Sequence, residues 1–148
     1  MKNNTVCFTG HRNIPQRDTK NIEDKLYTEI EKLISEGFTD FISGGAKGFD
    51  SLASYMVIKH IKEGKKIRLH MAYPYKRAMT LKDKEINDFA ETITYVCEHY
   101  HSGCFHERNR FMVDKSAVVV CYLTEDKGGT YYTVCYAKEK DKKIIKIL

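Results

Sequence analysis

The stretch that decides the fold reads Phe41-Ile42-Ser43-Gly44-Gly45-Ala46-Lys47-Gly48-Phe49-Asp50-Ser51-Leu52-Ala53. A short apolar run ends at two glycines and an amphipathic pattern follows, which predicts a strand, a glycine-rich turn and a helix. Glycines let the backbone approach a ligand closely, and the first turn of a helix offers unpaired N–H groups and the positive end of its dipole. The stretch therefore predicts a phosphate-binding loop. The alternative is an ordinary tight turn between a parallel strand and a helix.

Length and composition predict one globular domain, residues 1–148, because 148 residues with 42% hydrophobic side chains can bury a core. Apolar runs are too short to cross a bilayer, and the first residues lack the apolar stretch of a signal peptide, so we expect a cytoplasmic protein without a membrane partner. Five cysteines at irregular spacing favour free thiols in a reducing compartment. The net charge of +5 suits an anionic ligand without indicating nucleic acid.

Strand and helix patterns alternate along the whole chain, which predicts an α/β, Rossmann-like domain with a mostly parallel sheet and helices on both faces. Apolar runs predict strands over residues 5–9, 39–43, 66–72, 93–97, 117–123 and 144–147. Helical patterns fall between them. We expect the first helix to begin near Asp18 or Asn21, where Asn21 and Asp24 have the spacing of a capping box, and a later one to cover residues 107–115.

Four polar or glycine-rich segments follow predicted strands and so share the carboxyl edge of the sheet, where such folds bind ligands. Two of them carry glycine pairs before a helix, and cations converge from several elements, including Arg77. Arginine suits phosphate because its planar fork bonds two oxygens. Tyr73 and Tyr75 either stack on a base or belong to the core edge, and His11 either contacts phosphate or packs between loops. The predicted ligand-binding residues are Thr9, Gly10, His11, Arg12, Ser43, Gly44, Gly45, Ala46, Lys47, Asp50, Tyr73, Arg108, Gly128, Gly129 and Thr130.

Four segments of the chain together resemble the YpsA-like branch of the SLOG superfamily, in order and over nearly the whole chain. They are Thr9-Gly10-His11-Arg12, the stretch from Ser43 to Ala53, residues 108–114, and Gly128-Gly129-Thr130 with Tyr136-Ala137. The resemblance implies a Rossmann-like domain that binds nucleotides or nucleotide-derived ligands. The superfamily also includes LOG-type phosphoribohydrolases and the DNA-processing protein A, which binds single-stranded DNA.

One position departs from the LOG-type pattern. In those enzymes a carboxylate follows the glycine-rich motif's threonine by three residues, whereas this chain has Thr133 there. A hydroxyl cannot perform the acid-base work of a carboxylate at neutral pH. Asp50 and Glu107 are the weak catalytic candidates that are left, and Asp50 has an equally good structural interpretation as an acid in the first turn of a helix.

A segment rich in histidine and cysteine is the competing candidate site. Five donors within ten residues could bind zinc, but their spacing matches no ordinary zinc finger, and alternate side chains of an extended segment point in opposite directions. We therefore expect no metal here and keep metal binding as the alternative. The donors are Cys97, His99, His101, Cys104 and His106.

These observations predict a protein that binds a small phosphorylated, nucleotide-type ligand and acts as a sensor or regulator, without a required cofactor. Two alternatives stay open: a hydrolase of nucleotide N-glycosidic bonds at the same site, and a protein that binds single-stranded nucleic acid. Enzyme activity and homo-oligomer formation are left undecided by the sequence.

Overall fold

Six strands form one sheet in the computed structural model, which describes residues 2–147, and within that range every strand pairing is parallel. The order across the sheet is β4-β3-β2-β1-β5-β6, counting the strands along the chain. This is the predicted Rossmann-like α/β fold. The strands are β1 (Thr5–Gly10), β2 (Asp40–Ser43), β3 (Arg68–Tyr73), β4 (Ala90–Tyr95), β5 (Val118–Tyr122) and β6 (Lys143–Lys146).

Helices cover both faces of the sheet, because successive strand residues point to opposite faces and both sets are apolar. Val6 and Phe8 of β1 lie in the larger core, with the apolar sides of α1 and α2, whereas Cys7 between them packs with residues of α4 and α5. No helix within residues 2–147 is both long and apolar enough to span a membrane. The helices are α1 (Gln16–Ser35), α2 (Phe49–Lys62), α3 (Leu81–Asn87), α4 (Cys104–Asp114) and α5 (Gly129–Glu139), preceded by a 3-10 turn at Lys2–Asn4.

Helix starts are where the sequence-based prediction is wrong. The first helix begins at Gln16, directly after Pro15, so the predicted capping box of Asn21 and Asp24 lies inside the helix. Pro15 occupies the N-cap position with a ψ of 134°, and the helix begins directly after it although no side chain caps its first turn. Helix α4 begins at Cys104 instead of residue 107, and this brings two of the five metal-donor candidates, Cys104 and His106, into its first turn.

The strand order reverses between β1 and β5, which creates a crevice at their carboxyl ends. From β1 the chain adds β2, β3 and β4 on one side, and after β4 it crosses to add β5 and β6 on the other. The segments after β1, β2, β3 and β5 therefore meet around one crevice, as predicted.

At the opposite, amino-terminal edge of the sheet, the side chain of Asp40 in β2 contacts two side chains of β3. Its carboxylate accepts hydrogen bonds from Arg68 Nε and Nη2 at 2.9 and 3.0 Å and lies 2.7 Å from His70 Nε2. Burial alone would raise the pKa of Asp40, but hydrogen bonds from Arg68, His70 and Thr39 outweigh it and hold the pKa well below its usual range. This carboxylate ties β2 to β3 where the strands begin.

We predict that Asp40→Asn lowers the free energy of unfolding by about 1–3 kcal/mol at pH 7, because the substitution removes hydrogen bonds to a charged group. A depressed carboxyl pKa stabilises the fold above the unfolded-state pKa and loses this effect on acidification, so the difference should shrink below about pH 4. Urea unfolding at several pH values measures it. Asp24→Asn is the control, since the Lys20–Asp24 pair is exposed and contributes about 0.5 kcal/mol or less. An equal loss in both variants would contradict the prediction.

Candidate functional site

The glycine-rich turn after β2 is shaped by contacts that exclude larger side chains. Gly45 and Gly48 both have a φ of 72°, which glycine adopts without strain. A Cβ at Gly45 would collide with the Tyr73 ring, and one at Gly48 would collide with the backbone carbonyl of Arg12. Packing alone thus accounts for these two glycines, whether or not the turn also binds a ligand.

Asp50 fixes the same turn from inside. Its side chain is buried and accepts a hydrogen bond from the Ala46 N–H at 3.2 Å. Burial raises the pKa of Asp50 to about 6, against the opposing effects of Arg108, the Ala46 N–H and Arg12. Asp50 thus makes the contact with the turn that its structural interpretation requires, and it also lines the smaller cavity.

Arg108 connects helix α4 to the strand ends. Its side chain is buried, and Nη1 donates to the Gly44 carbonyl and, at 3.5 Å, to the Ala72 carbonyl. Nε donates to Asn109 Oδ1 at 2.8 Å. Burial lowers the pKa of Arg108, and the Asp50 carboxyl group opposes that shift. Arg108 thus brings positive charge to the crevice while much of its hydrogen-bonding capacity is already used by the protein.

Two adjoining cavities occupy the crevice. The larger, of about 580 Å³, lies over the glycine-rich turn and the segment after β3, and the smaller, of about 240 Å³, lies at the switch point between β1 and β5. Arg12, Ala46, Phe105 and Arg108 line both, so the two form one continuous site. The larger volume falls within the range of roughly 300–1,000 Å³ that is usual for small-molecule sites.

Phe105 is a central wall residue that the sequence analysis missed. The centre of its ring lies 5.3 Å from Arg12 Cζ and 5.9 Å from Arg108 Cζ. Phe105 precedes Arg108 by three residues, and in a helix such residues lie on the same side. This spacing would have identified it if α4 had been predicted to begin at Cys104.

The cations at the crevice differ in how far they are committed to the protein. Arg77 pairs with Asp83 at 2.8 Å and donates to the Gly45 carbonyl at 3.2 Å. By contrast, Arg12 and Lys47 are exposed, and no carboxylate within residues 2–147 forms an ion pair with either of them. Those two side chains are available to an incoming anion.

Twelve of the fifteen predicted ligand-binding residues line the two cavities. The exceptions are Ser43, Tyr73 and Gly128. Ser43 is buried and accepts a hydrogen bond from the Ser54 hydroxyl at 2.8 Å. Tyr73 has no exposed surface, and its hydroxyl donates to Asn87 Oδ1 at 2.7 Å. Of the two alternatives for Tyr73, its burial supports the core edge and not stacking on a base, whereas Tyr75 lines the larger cavity.

On the far side of the crevice, helix α5 begins at Gly129 without a side-chain cap. Gly129 and Thr130 line the smaller cavity, and Thr133 is buried with its hydroxyl donating to the Gly129 carbonyl at 2.8 Å. The Thr133 hydroxyl is therefore used for a hydrogen bond within its own helix.

His11 lines the same cavity, and its Nε2 accepts a hydrogen bond from the Thr124 N–H at 2.9 Å. Packing between loops therefore occupies that nitrogen.

The histidine and cysteine segment folds back on itself. Residues 98–103 form bends and turns instead of an extended strand, and Cys97, His101 and Cys104 place one donor atom each within 4.8 Å of one another. The other two candidate donors, His99 and His106, do not belong to this group of described residues. Glu107 contacts Cys97 and His101 and is absent from the cavity linings, so the weaker catalytic candidate lies apart from the crevice.

We predict that one aspartate carboxyl, Asp50, titrates near pH 6 in a carbon-detected NMR titration. Arg12→Met should raise this midpoint further, because the Arg12 charge favours the ionised carboxylate. Lys65→Met is the control: this exposed lysine follows α2 at the amino-terminal edge of the sheet, so its loss should leave the midpoint unchanged. A midpoint near 4 in the unmodified chain would contradict the prediction.

The solved structures that share this fold include two DNA processing proteins. DNA processing protein A (DprA) from Streptococcus pneumoniae aligns with 96% of this chain and 49% of its own, at a TM-score of 0.72 and 17% identity. DNA processing protein A from Helicobacter pylori, described for its single-stranded DNA binding mode, aligns with 96% of this chain and 64% of its own, at a TM-score of 0.70 and 20% identity. The chain thus spans about half of one relative and less than two thirds of the other, and identities this low establish the fold alone.

Sequence comparison gives a closer relationship. The SPbeta prophage-derived protein YoqJ of Bacillus subtilis (strain 168) is 31% identical over 139 residues, which cover 80% of this chain and 81% of that protein. A family model named YpsA, described as the YspA SLOG family, matches residues 6–147. The match includes every segment that lines the crevice, and the chain therefore belongs to the YpsA SLOG family.

Proposed function

We propose that this protein binds a nucleotide or a nucleotide-derived phosphorylated ligand at the carboxyl edge of the sheet and acts as a sensor or regulator. The observation that carries the proposal is the pair of uncommitted cations, Arg12 and Lys47, on the wall of a cavity of about 580 Å³. Helix α2 begins beside them at Phe49 without a side-chain cap. The Phe49 N–H already donates to the His11 carbonyl at 3.2 Å, so the dipole of α2 and the N–H groups after Phe49 are what add to the attraction for an anion.

The remaining wall favours a ligand larger than inorganic phosphate. Pro74, Tyr75 and Phe105 contribute apolar or aromatic surface to the larger cavity. The Tyr75 ring is held edge-on by Tyr100 at 5.1 Å and Phe105 at 6.1 Å between ring centres. A wall with cations at one part and fixed aromatic rings at another matches a molecule that carries both phosphate and a planar base.

Hydrolysis of a nucleotide at this site is the second candidate. Asp50 supports it, because a buried carboxyl group with a pKa of about 6 can exchange protons near neutral pH. Against it, Asp50 already accepts the Ala46 N–H, and Thr133 stands where LOG-type enzymes have a carboxylate. We therefore favour binding without turnover.

Single-stranded DNA binding is the third candidate, since the Helicobacter pylori relative is described for that activity. The chain aligns with 64% of that protein. A nucleic-acid interface needs a basic track that extends beyond a pocket, and its affinity falls steeply with salt. The cations described above instead surround one concave site.

Ligand screening separates the three candidates. We expect nucleotides, dinucleotides or ADP-ribose-like compounds to raise the melting temperature, with no product detected by chromatography after long incubation. Product formation from a bound nucleotide would replace the sensor proposal by the hydrolase. Binding of an oligonucleotide alone, with a steep salt dependence, would replace it by the third candidate.

We predict that Lys47→Ala and Arg12→Ala each weaken binding of the phosphorylated ligand by about tenfold or more, because each removes a charged hydrogen-bond donor. Both side chains are exposed, so the melting temperature without ligand should change little. Isothermal titration calorimetry measures the affinities. Lys65→Ala makes the same charge change at the opposite edge of the sheet and should bind like the unmodified chain. Unchanged affinity in both Lys47→Ala and Arg12→Ala would contradict the proposed binding site.

A further inference from the structure

We propose that Cys97, His101 and Cys104, with Glu107 as the fourth ligand, form a zinc site at the start of helix α4. The donors are of the types that zinc selects, two sulfurs, one imidazole nitrogen and one carboxylate. The site is separate from the proposed nucleotide crevice, since none of the four side chains lines either cavity.

The spacing of the donor atoms supports a tetrahedral site. Zinc bonds of about 2.0–2.3 Å place neighbouring ligand atoms about 3.3–3.8 Å apart. Cys97 Sγ lies 3.5 Å from His101 Nε2 and 3.0 Å from Glu107 Oε2, and His101 Nε2 lies 3.4 Å from Glu107 Oε1. Cys104 Sγ lies within 4.8 Å of the Cys97 and His101 donor atoms. Glu107 lies outside the group of donors that are within 4.8 Å of one another, so its side chain must move toward Cys104 to complete the tetrahedron.

Backbone structure explains why these four side chains meet. The Cys97 N–H donates to the Pro74 carbonyl at 2.9 Å, which anchors the start of the segment next to β3. The following turn reverses the chain, and the Cys104 N–H donates to the His101 carbonyl at 3.1 Å. Cys104 and Glu107 are then three residues apart in α4 and so lie on one side of the helix.

Burial is uneven in a way that suits metal uptake. Cys97 and Cys104 are 5% and 0% exposed, whereas the His101 and Glu107 side chains are 51% and 45% exposed. An ion can therefore enter from the exposed side and be held by sulfur from the buried side. Binding also requires the loss of one hydrogen bond. The Gly103 N–H donates to His101 Nδ1 at 3.1 Å, and this contact must be released because the ring proton moves to Nδ1 when Nε2 binds a metal.

Metal analysis of the full chain tests the proposal. After equilibration with Zn²⁺ under reducing conditions and removal of unbound metal, we expect one zinc per chain. With Co²⁺ we expect the absorption of a tetrahedral, thiolate-bound ion. Cys97→Ser, Cys104→Ser and His101→Ala should each lose most of the bound zinc, and Glu107→Gln should weaken its retention by roughly tenfold or more, as loss of a ligand does.

Matched controls come from donors that lie outside the group. His99→Ala, His106→Ala and Cys135→Ser should retain one zinc per chain. His101→Ala removes a half-exposed side chain and is expected to fold. This variant therefore tests zinc binding even if a substitution of a buried cysteine prevents folding. Absence of retained zinc in the unmodified chain, or equal retention in His101→Ala, would overturn the proposal. These measurements contain no nucleotide, so their result is independent of the proposed ligand site.

Discussion

The structure of the crevice depends on one buried cation. Arg108 donates from helix α4 to carbonyl groups at Gly44 and Ala72, the points where β2 ends and β3 nears its end. A buried guanidinium is costly unless its donors are satisfied and a negative charge is near, and the strand-end carbonyls and Asp50 meet both needs. Helix α4 is therefore fixed to the same strand ends that carry the glycine-rich turn, and the crevice between them has a defined width.

The same constraint changes how the glycine-rich turn should be interpreted. A ligand-binding loop and a tight structural turn are alternatives at the level of sequence, and in the structure packing already requires glycine at these positions. Gly44 leaves space for Arg108 and Asp50, and Gly45 leaves space for Tyr73. The turn is closed from beneath by these side chains, so its exposed surface, with Lys47, faces the cavity. The glycines of the turn are therefore weak evidence for ligand binding, and the two crevice cations without an ion pair in the described part of the chain, Arg12 and Lys47, are stronger evidence.

Local patterns are sufficient to predict the fold and the edge of the sheet at which the crevice lies. Apolar periodicity identified every strand, and alternation with helices implied parallel pairing, so Arg12, Lys47 and Thr130 could be assigned to one edge. Contacts between distant elements could not be predicted in this way. The burial of Tyr73 beneath Gly45 and the position of Phe105 beside Arg12 depend on how α4 packs across the strand ends, and no local pattern encodes that distance.

The first turn of α4 shows why the two proposed sites are physically linked. Cys104 and Glu107 are three residues apart and lie on one side of the helix. Phe105 and Arg108 are also three residues apart, and each follows a member of the first pair by one residue, so this second pair lies on an adjacent side. The first pair faces the histidine and cysteine cluster, and the second pair faces the crevice. Any interaction that fixes the rotation of this turn toward the cluster also fixes where Phe105 and Arg108 stand in the crevice wall. The positions of Phe105 and Arg108 in the crevice wall thus depend on the contacts that the first turn of α4 makes with the histidine and cysteine cluster as well as on those that it makes in the crevice.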